Sequence, residues 1–432
     1  MAFSTAISGI NAATADLGVI SNNIANSSTV GFKASRAQFA EIFASSQLGS
    51  ASGNSGQGVE LTQIRTEFSQ GNLEFTNNGL DLAISGNGFF VISQDGAREY
   101  TRAGSFDVDR EGFVTNVNGG RLQGFQADEA GQITGELGDL FIDTSLIDPR
   151  LTGNVALTTN LDSREVSSGL PFDYADPNTY SATTSTTVYD GLGNSHVLSV
   201  YFVKDDAVAN NYEVFTVIDG EPQYAIDPAD PNGREPLRNA AGGVDGGWSQ
   251  LAFTSNGRLD ITGDIGVDIS GWIPKDSNGV PNGSGAQNFE LNLLATTQFG
   301  TDFAVSSIVQ DGYGAGQLIS FEFDDSGVAF ARYTNGQSRA IGQVALAAFR
   351  SNNGLQPIGN TSYVETFASG AATLGDPGTA GRGTIQSSAV EAANVEITEE
   401  LVNLIIAQRN FQANAQVIST EDQVTQAVIN LR

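Results

Sequence analysis

Apolar or small residues recur near the start of the chain at Phe3, Ile7, Ile10, Thr14, Leu17, Ser21 and Ile24, in alternating steps of three and four. That spacing keeps side chains on one face of an α-helix, and the alternation is the heptad pattern of helices that pack along a seam. Ala6, Ala13 and Ile20 form a second stripe beside the first, and Asn22, Asn23 and Asn26, followed by Gly31, predict the helix end. The far end repeats the pattern over a longer run. Ile397, Leu401, Leu404, Gln408, Phe411, Ala415, Ile418, Asp422, Thr425 and Ile429 follow steps of four and three. Val402, Ile405, Val417, Val424 and Val428 lie off that seam and widen the apolar face. Thr398 and Glu399 suit a helix start, yet the periodicity extends back toward Ala389, which predicts a helix of roughly 63 Å to Arg432 at about 1.5 Å per residue. Such a length is unusual in a globular domain and ordinary for a coiled coil or an assembly helix.

Between the ends the pattern changes to short alternating or apolar runs, the mark of β-strands. They cover Leu80–Ser85, Phe89–Ser93, Ser105–Val108, Val197–Val203, Tyr212–Ile218, Leu318–Phe323 and Val328–Tyr333. Turn dipeptides punctuate them: Asp95-Gly96, Asn118-Gly119, Asp190-Gly191, Asp219-Gly220, Asn256-Gly257 and Asn335-Gly336. Leu48–Gly58 reads as a flexible Gly/Ser segment, and residues 165–186 and 220–247 read as long exposed loops rich in Asp, Pro, Gly and Thr. No internal repeat is visible. The expected fold class is therefore mainly β with terminal α-helices that pair in a coiled-coil manner, enclosing two nested, discontinuous β-rich domains.

Charge sharpens this division. The 432 residues carry 20 basic and 49 acidic side chains, a net charge of -29. Residues 1–40 are net +1 and residues 389–432 net -4, which leaves -26 of the -29 to the middle. A strongly acidic field repels phosphate, so neither nucleic acid nor an anionic membrane is an expected partner. No run of 18 apolar residues exists to span a bilayer, so no membrane insertion is expected. The stretch Met1–Gly9 has neither the basic flank nor the apolar block of a cleavable secretion signal.

Candidate chemistry is sparse. With no Cys and one His, thiolate nucleophiles, iron–sulfur clusters and zinc ribbons are excluded, and no metal or cofactor is expected. Ser195 and His196 are neighbours in a predicted strand, where side chains point to opposite faces, so they form no dyad. Asp107–Gly112 imitates the opening of a calcium loop, but the twelfth position is Asn118 instead of Glu and strand patterns flank it, so a hairpin turn is expected. Gly312–Gly316 lacks the later glycine and helix of a dinucleotide loop. The pairs Asp205-Asp206 and Asp324-Asp325 sit at turns, where solvated Asp is common. No catalytic site is expected.

Two readings of the ends follow. They could close the β body as an ordinary helix pair, or assemble with copies of themselves. Each buried seam side chain contributes about 1.5–3 kcal/mol, whereas ordering costs roughly 1–2 kcal/mol for every residue of the long helix. The seam falls short, so the helix needs further neighbours, and the off-seam stripe offers them a place to pack. The ends are accordingly expected to be largely unstructured in the single chain and to order on assembly.

Specific motifs narrow the choice. Ser8-Gly-Ile-Asn-Ala, Ser21-Asn-Asn-Ile-Ala-Asn and Thr29-Val-Gly-Phe-Lys33 resemble the N-terminal signature of bacterial flagellar rod and hook proteins. The matching C-terminal signature resembles Glu391-Ala-Ala-Asn-Val, the run Glu400–Thr420 and Ile429-Asn-Leu-Arg432. Asp81–Phe90 and Tyr100-Thr-Arg-Ala-Gly-Ser-Phe resemble the family's first β domain, and Val188–Leu198 resembles a segment of its hook members. Rod subunits are generally shorter and lack a large second β domain, so the likeness is greatest to the hook members.

The resemblance implies a hollow helical tube that joins rod to filament and passes motor torque as a universal joint. It implies as partners other copies of the chain, rod and hook–filament junction proteins, and the hook cap and type III export apparatus during assembly. It places the protein in the extracellular hook, exported without a cleavable signal peptide. The expected domains are 1–30 with 389–432 for assembly, 31–75 with 366–388 as an extended connection, 76–150 with 303–365 as the first β domain, and 151–302 as the outer one. The assembly residues are expected to be Phe3, Ile7, Ile10, Leu17, Ile24, Ile397, Leu401, Leu404, Phe411, Ile418 and Ile429. The competing readings are a distal rod or junction subunit and, from another class, an adhesin stacking sugar rings on Trp248 or Trp272.

Overall fold

The computed structural model describes residues 2–42, 58–128, 130–205, 208–226, 229, 247–261 and 266–430. The predicted Gly/Ser segment therefore falls, up to residue 57, outside the described residues. The chain forms two compact units. The first comprises Met1–Thr144, Ile319–Arg332 and Ser338–Arg432, and the second Ser145–Leu318 with Tyr333–Gln337. Among the described residues, regular helix is confined to α1 (Ala2–Ala25), α2 (Ile397–Asn430) and a single turn at Asn352–Gly354; strands make up most of the rest.

Each of the seven predicted strands is present, with ends displaced by at most two residues. In the first unit the run Phe89–Gln94 lies at the heart of the largest sheet, paired with Ala97–Thr101 and Arg121–Ala127. Its Phe-Phe-Val-Ile core is covered on both faces, which explains a continuous apolar run where a half-exposed strand would alternate. Asp95 and Gly96 both take positive φ, 50° and 84°, the geometry a two-residue hairpin needs to follow the strand twist. Phe89 packs edge-on against Phe68, Phe349 and Tyr363, with ring centroids 5.5–6.1 Å apart. The calcium-loop imitation is a hairpin turn: Asp109 Oδ1 accepts the backbone N–H groups of Glu111 and Phe113.

The predicted helix start near Ala389 is corrected. Ala389–Glu391 is a strand, antiparallel to Leu73–Phe75, and α2 begins only at Ile397. The apolar residues at 389 and 390 continue the helical period by coincidence; they are buried as the sheet requires. Glu399 and Glu400, in the first turn of α2, face its positive end.

The second unit is a sandwich. One sheet contains Gly266–Trp272, Gln287–Asn292, Asn154–Asp162 and Thr297–Phe299, and the other Ala182–Tyr189, Ser195–Lys204 and Asn211–Ile218. Inward residues of both, among them Leu157, Leu198, Phe202, Val214, Ile269 and Leu291, form one core. Asn211–Ile218 is buried on both faces because the supposedly exposed loop after residue 165 folds back and stacks Phe172 on Phe215 at 4.3 Å. The same loop also proves shorter than expected, since Ala182–Tyr189 is a strand. Trp272 is 7% exposed, and Trp248 packs against the Phe172 cluster, so neither offers a free ring to a sugar.

A buried carboxylate ties the sandwich together. Asp190 accepts hydrogen bonds from the backbone of Leu192 and Asn194 and from the amides of Asn194 and Asn282. His196, 4% exposed, lies between Asp190 and Asp219 and meets Trp272 edge-on at 5.0 Å. Burial pushes the Asp190 carboxyl up, but the Asn194, Asn282 and His196 hydrogen bonds outweigh it and hold the group below the usual carboxylate value of 3.8. A carboxyl whose value is lower when folded stabilises fully above its unfolded value, and that contribution is lost as pH falls through the folded one. Asp190→Asn is therefore expected to cost about 2–3 kcal/mol at neutral pH, as charged hydrogen bonds do, and progressively less below about pH 3.8. Urea unfolding of both chains at pH 7 and pH 3 checks this; equal midpoints at pH 7 would contradict it.

Candidate functional site: the paired termini

Three segments distant in sequence meet at Glu391. Its Oε1 is 2.5 Å from the Lys33 ammonium and its Oε2 is 3.1 Å from the Arg102 guanidinium. The Lys33 and Glu391 side chains are wholly buried and that of Arg102 nearly so. Backbone groups complete the network: Lys33 Nζ donates to Ser69 O, Arg102 Nη2 donates to Gly86 O, and Gly71 N donates to Glu391 Oε1. The Arg102 guanidinium also lies 5.3 Å from the centre of the Phe89 ring, which anchors it to the first-unit core. Burial draws Lys33 and Arg102 down from their ordinary ranges, against the charge and hydrogen bond of Glu391, which hold them up.

Amides extend this junction into both helices. Asn23 on α1 brackets Ser35, accepting from its N–H and donating to its carbonyl, and also donates to Glu400 Oε1 of α2 at 3.0 Å. Asn394 accepts from Ala34 N and donates to Glu67 O. Gly31 N donates to the Glu391 carbonyl at 2.7 Å. Gly31 also has φ of 69°, and a Cβ there would lie 2.3 Å from Ala103 N, so only glycine fits.

Beyond the junction the helices run antiparallel. Asn23 meets Glu400, and Gly9 lies against Asn414, with fourteen residues between the contacts on either helix. A Cβ on Gly9 would be 2.7 Å from Asn414 Oδ1, so the glycine leaves room for the Asn414 amide between the helices. The inward face of α1, toward α2 and the hairpin Ser35–Glu41/Val59–Thr66, buries Ala6, Ala13, Val19, Ile20 and Asn23. On α2 the sole fully buried side chain among the described residues is Ala407.

This changes the expected pairing. The seam predicted on α1 was the line of large residues, whereas the structure turns the smaller stripe, Ala6–Ala13–Ile20, inward. Small residues permit the close approach, and large ones would hold the axes apart. Of the expected assembly residues, Ile10, Leu17, Ile24, Leu404 and Ile418 are half-buried along the pair. Phe3 (51%), Ile7, Ile397, Leu401, Phe411 and Ile429 (67%) are exposed. Val402, Ile405, Ile406, Val417 and Val424 are exposed as well, so α2 presents large apolar groups along its whole length.

The buried network predicts a specific sensitivity. Removing one partner of a buried ion pair leaves uncompensated charge and costs about 3–5 kcal/mol. Glu391→Gln, which keeps the size of the side chain, is expected to destabilise the first unit by that amount in urea unfolding of the full chain. Parental stability would show that the network does not hold the termini.

Comparison with known proteins fits this architecture from end to end. The family model described as "Flagella basal body rod protein" matches residues 3–33, and "Flagellar hook protein FlgE/F/G D1 domain" matches 83–166. "Flagellar basal body protein FlaE D2 domain" matches 160–313, and "Flagellar basal body rod FlgEFG protein C-terminal" matches 386–431. The flagellar hook protein FlgE of Salmonella typhimurium is 36% identical over 440 residues, covering 100% of both chains. That of Borreliella burgdorferi is 33% identical over 454 residues, covering 99% of this chain and 98% of its own. The crystal structure of Helicobacter pylori flagellar hook protein FlgE2 shares the fold, with a TM-score of 0.51 at 14% identity over 74% of this chain and 100% of that one. The chain thus belongs to the flagellar hook protein FlgE family, and it is a structural subunit of the hook, not an enzyme.

Proposed function

We propose that the chain builds the hook by polymerising through the outward faces of α1 and α2 into a hollow tube that acts as a universal joint between rod and filament. The observation that carries this reading is the exposure of Leu401, Val402, Ile405 and Ile406 on one helix and of Phe3 and Ile7 on the other. A contiguous apolar strip of this kind is a partner surface. Most of the net charge of -29 lies between the helices, so they are the weakly charged, adhesive part of the molecule. The expected assembly residues divide the work: Leu404 and Ile418 support the intrachain pair, while Phe3, Ile7, Ile397, Leu401 and Ile429 contact neighbouring copies. Helix beyond the junction gains most of its packing only in the polymer.

Bending follows from the same contrast. A curved rotating tube lengthens and shortens each row of subunits every turn. Apolar helix contacts hold the tube together, while hydrated acidic β surfaces slide past one another at little cost. Rod, junction and cap proteins, with the type III export apparatus through which the subunit travels, are the further partners in this reading, and residues 151–302 supply its outer domain.

Because Leu401 and Ile405 are exposed, placing Asp there spares the fold. Leu401→Asp with Ile405→Asp is expected to leave the circular dichroism of the dilute chain unchanged and to abolish polymers in sedimentation and electron microscopy. Normal polymers from this variant would refute assembly through the outward helix face.

A further inference from the structure

α2 outruns its partner. The Asn23–Glu400 and Gly9–Asn414 contacts set Ala2, the first residue of α1, level with Glu421. Asp422–Asn430 therefore project past the end of α1 by about 13 Å at 1.5 Å per residue. Ile429 stands eleven residues after Ile418, close to three whole turns, and so continues the line that faces α1 at Ile418. Ile418 is half-buried, whereas Ile429 is 67% exposed, with no described residue of α1 level with it.

At the other end of the pair, past the last turn of α1, the first unit has a groove of about 680 Å³. Asn22, Asn26 and Phe32 form one wall, and Val117, Thr361 and Tyr363 the other. Val117 is 90% exposed, and Asn360 and Thr361 turn the chain at its edge with φ of 50° and 59°. A helical turn with its side chains occupies on the order of 500 Å³, so the groove admits one such turn. Its chemistry is amide, hydroxyl and apolar. The projecting tip carries the same classes in Gln423, Val424, Thr425, Gln426 and Ile429, with one charge at Asp422, and Lys33 is among the residues lining the groove.

We infer that the groove receives the α2 tip of a second copy, so that Ile429 of one subunit packs beside Val117 of the next. Tip and groove lie at opposite ends of one helix pair, and contact between unlike surfaces repeats head to tail, which builds an open helical filament when its rotation does not close a ring. The inference rests on the polymerisation proposed above and specifies one of its contacts.

Within one chain Ile429 is about 42 Å along the helix from the level of Asn22, so a cross-link from tip to groove must join two copies. The test places a benzoylphenylalanine photo-cross-linker at position 429 of the full chain, irradiates the polymer and maps the adducts by mass spectrometry. Adducts between copies at residues 22–35, 116–118 or 357–363 are expected. A polymer whose adducts fall elsewhere, or groove adducts in dilute monomer, would overturn the inference while leaving polymerisation intact. If the parent chain forms no polymer, the assembly reading falls, and this contact with it. As a second readout, Val117→Asp, in an exposed turn, is expected to raise the critical concentration for polymerisation at least tenfold with the monomer fold unchanged; an unchanged critical concentration counts against the inference.

Discussion

The first unit depends on one buried carboxylate. Glu391 lies just before α2, Lys33 just after α1, and Arg102 in the first β region, and no two of them are near in sequence. Two cations around one anion, all out of water, form a costly arrangement that further hydrogen bonds must offset, and they do so incompletely, since the buried Arg102 Nε has no partner among the described residues. The Ser69 and Gly86 carbonyls accept from the cations, and the Gly71 N–H gives Glu391 a third donor. The termini of the chain are thereby brought to one point and aimed in one direction, which fixes the antiparallel register from Asn23–Glu400 onward. A different meeting point would shift every helix contact that follows.

From that point outward the helices reverse the usual arrangement of an amphipathic pair. Gly9 lies against Asn414 and Ala6, Ala13 and Ala407 are buried, while many of the bulky residues, among them Phe3, Leu401, Val402, Ile405 and Phe411, are exposed. Intrachain pairing through small residues gains little apolar burial, while large exposed groups retain theirs for another surface. The hairpin follows the same pattern, with Phe39, Leu61 and Ile64 substantially exposed. The chain thus divides its contacts: polar groups set the geometry at the junction, and large apolar groups stay exposed.

Much of this was legible beforehand, and what was not has a common cause. Strand positions followed from alternation and Asp-Gly or Asn-Gly turns because both signals are local. The three motifs carrying Lys33, Arg102 and Glu391 stood out in the sequence, but nothing along the chain says that charges 69 or more residues apart converge. Local periodicity likewise misplaced the start of α2, because Ala389 and Val390 obey a helical spacing while their backbone is paired with Leu73–Phe75. The choice of inward stripe on α1 was missed for a related reason. Hydropathy favours the larger residues, whereas the space left at Gly9 for the Asn414 side chain is decided by volume. Phe172 escaped because aromatics scattered through a polar loop carry no period; its stacking partner Phe215 lies 43 residues away.

Why the junction is ionic and not apolar follows from its surroundings. Both helices display Leu, Ile, Val and Phe to solvent, so an apolar plug joining the termini would compete with the equally apolar faces of neighbouring chains. An isolated buried carboxylate tolerates no such substitute. Glu391 reaches low free energy only with two cations and the N–H of Gly71 in place, and a misplaced terminus leaves charge unpaired at a cost of several kcal/mol. The ionic site thus folds the termini of one chain through contacts distinct from the apolar faces that the same two helices leave exposed.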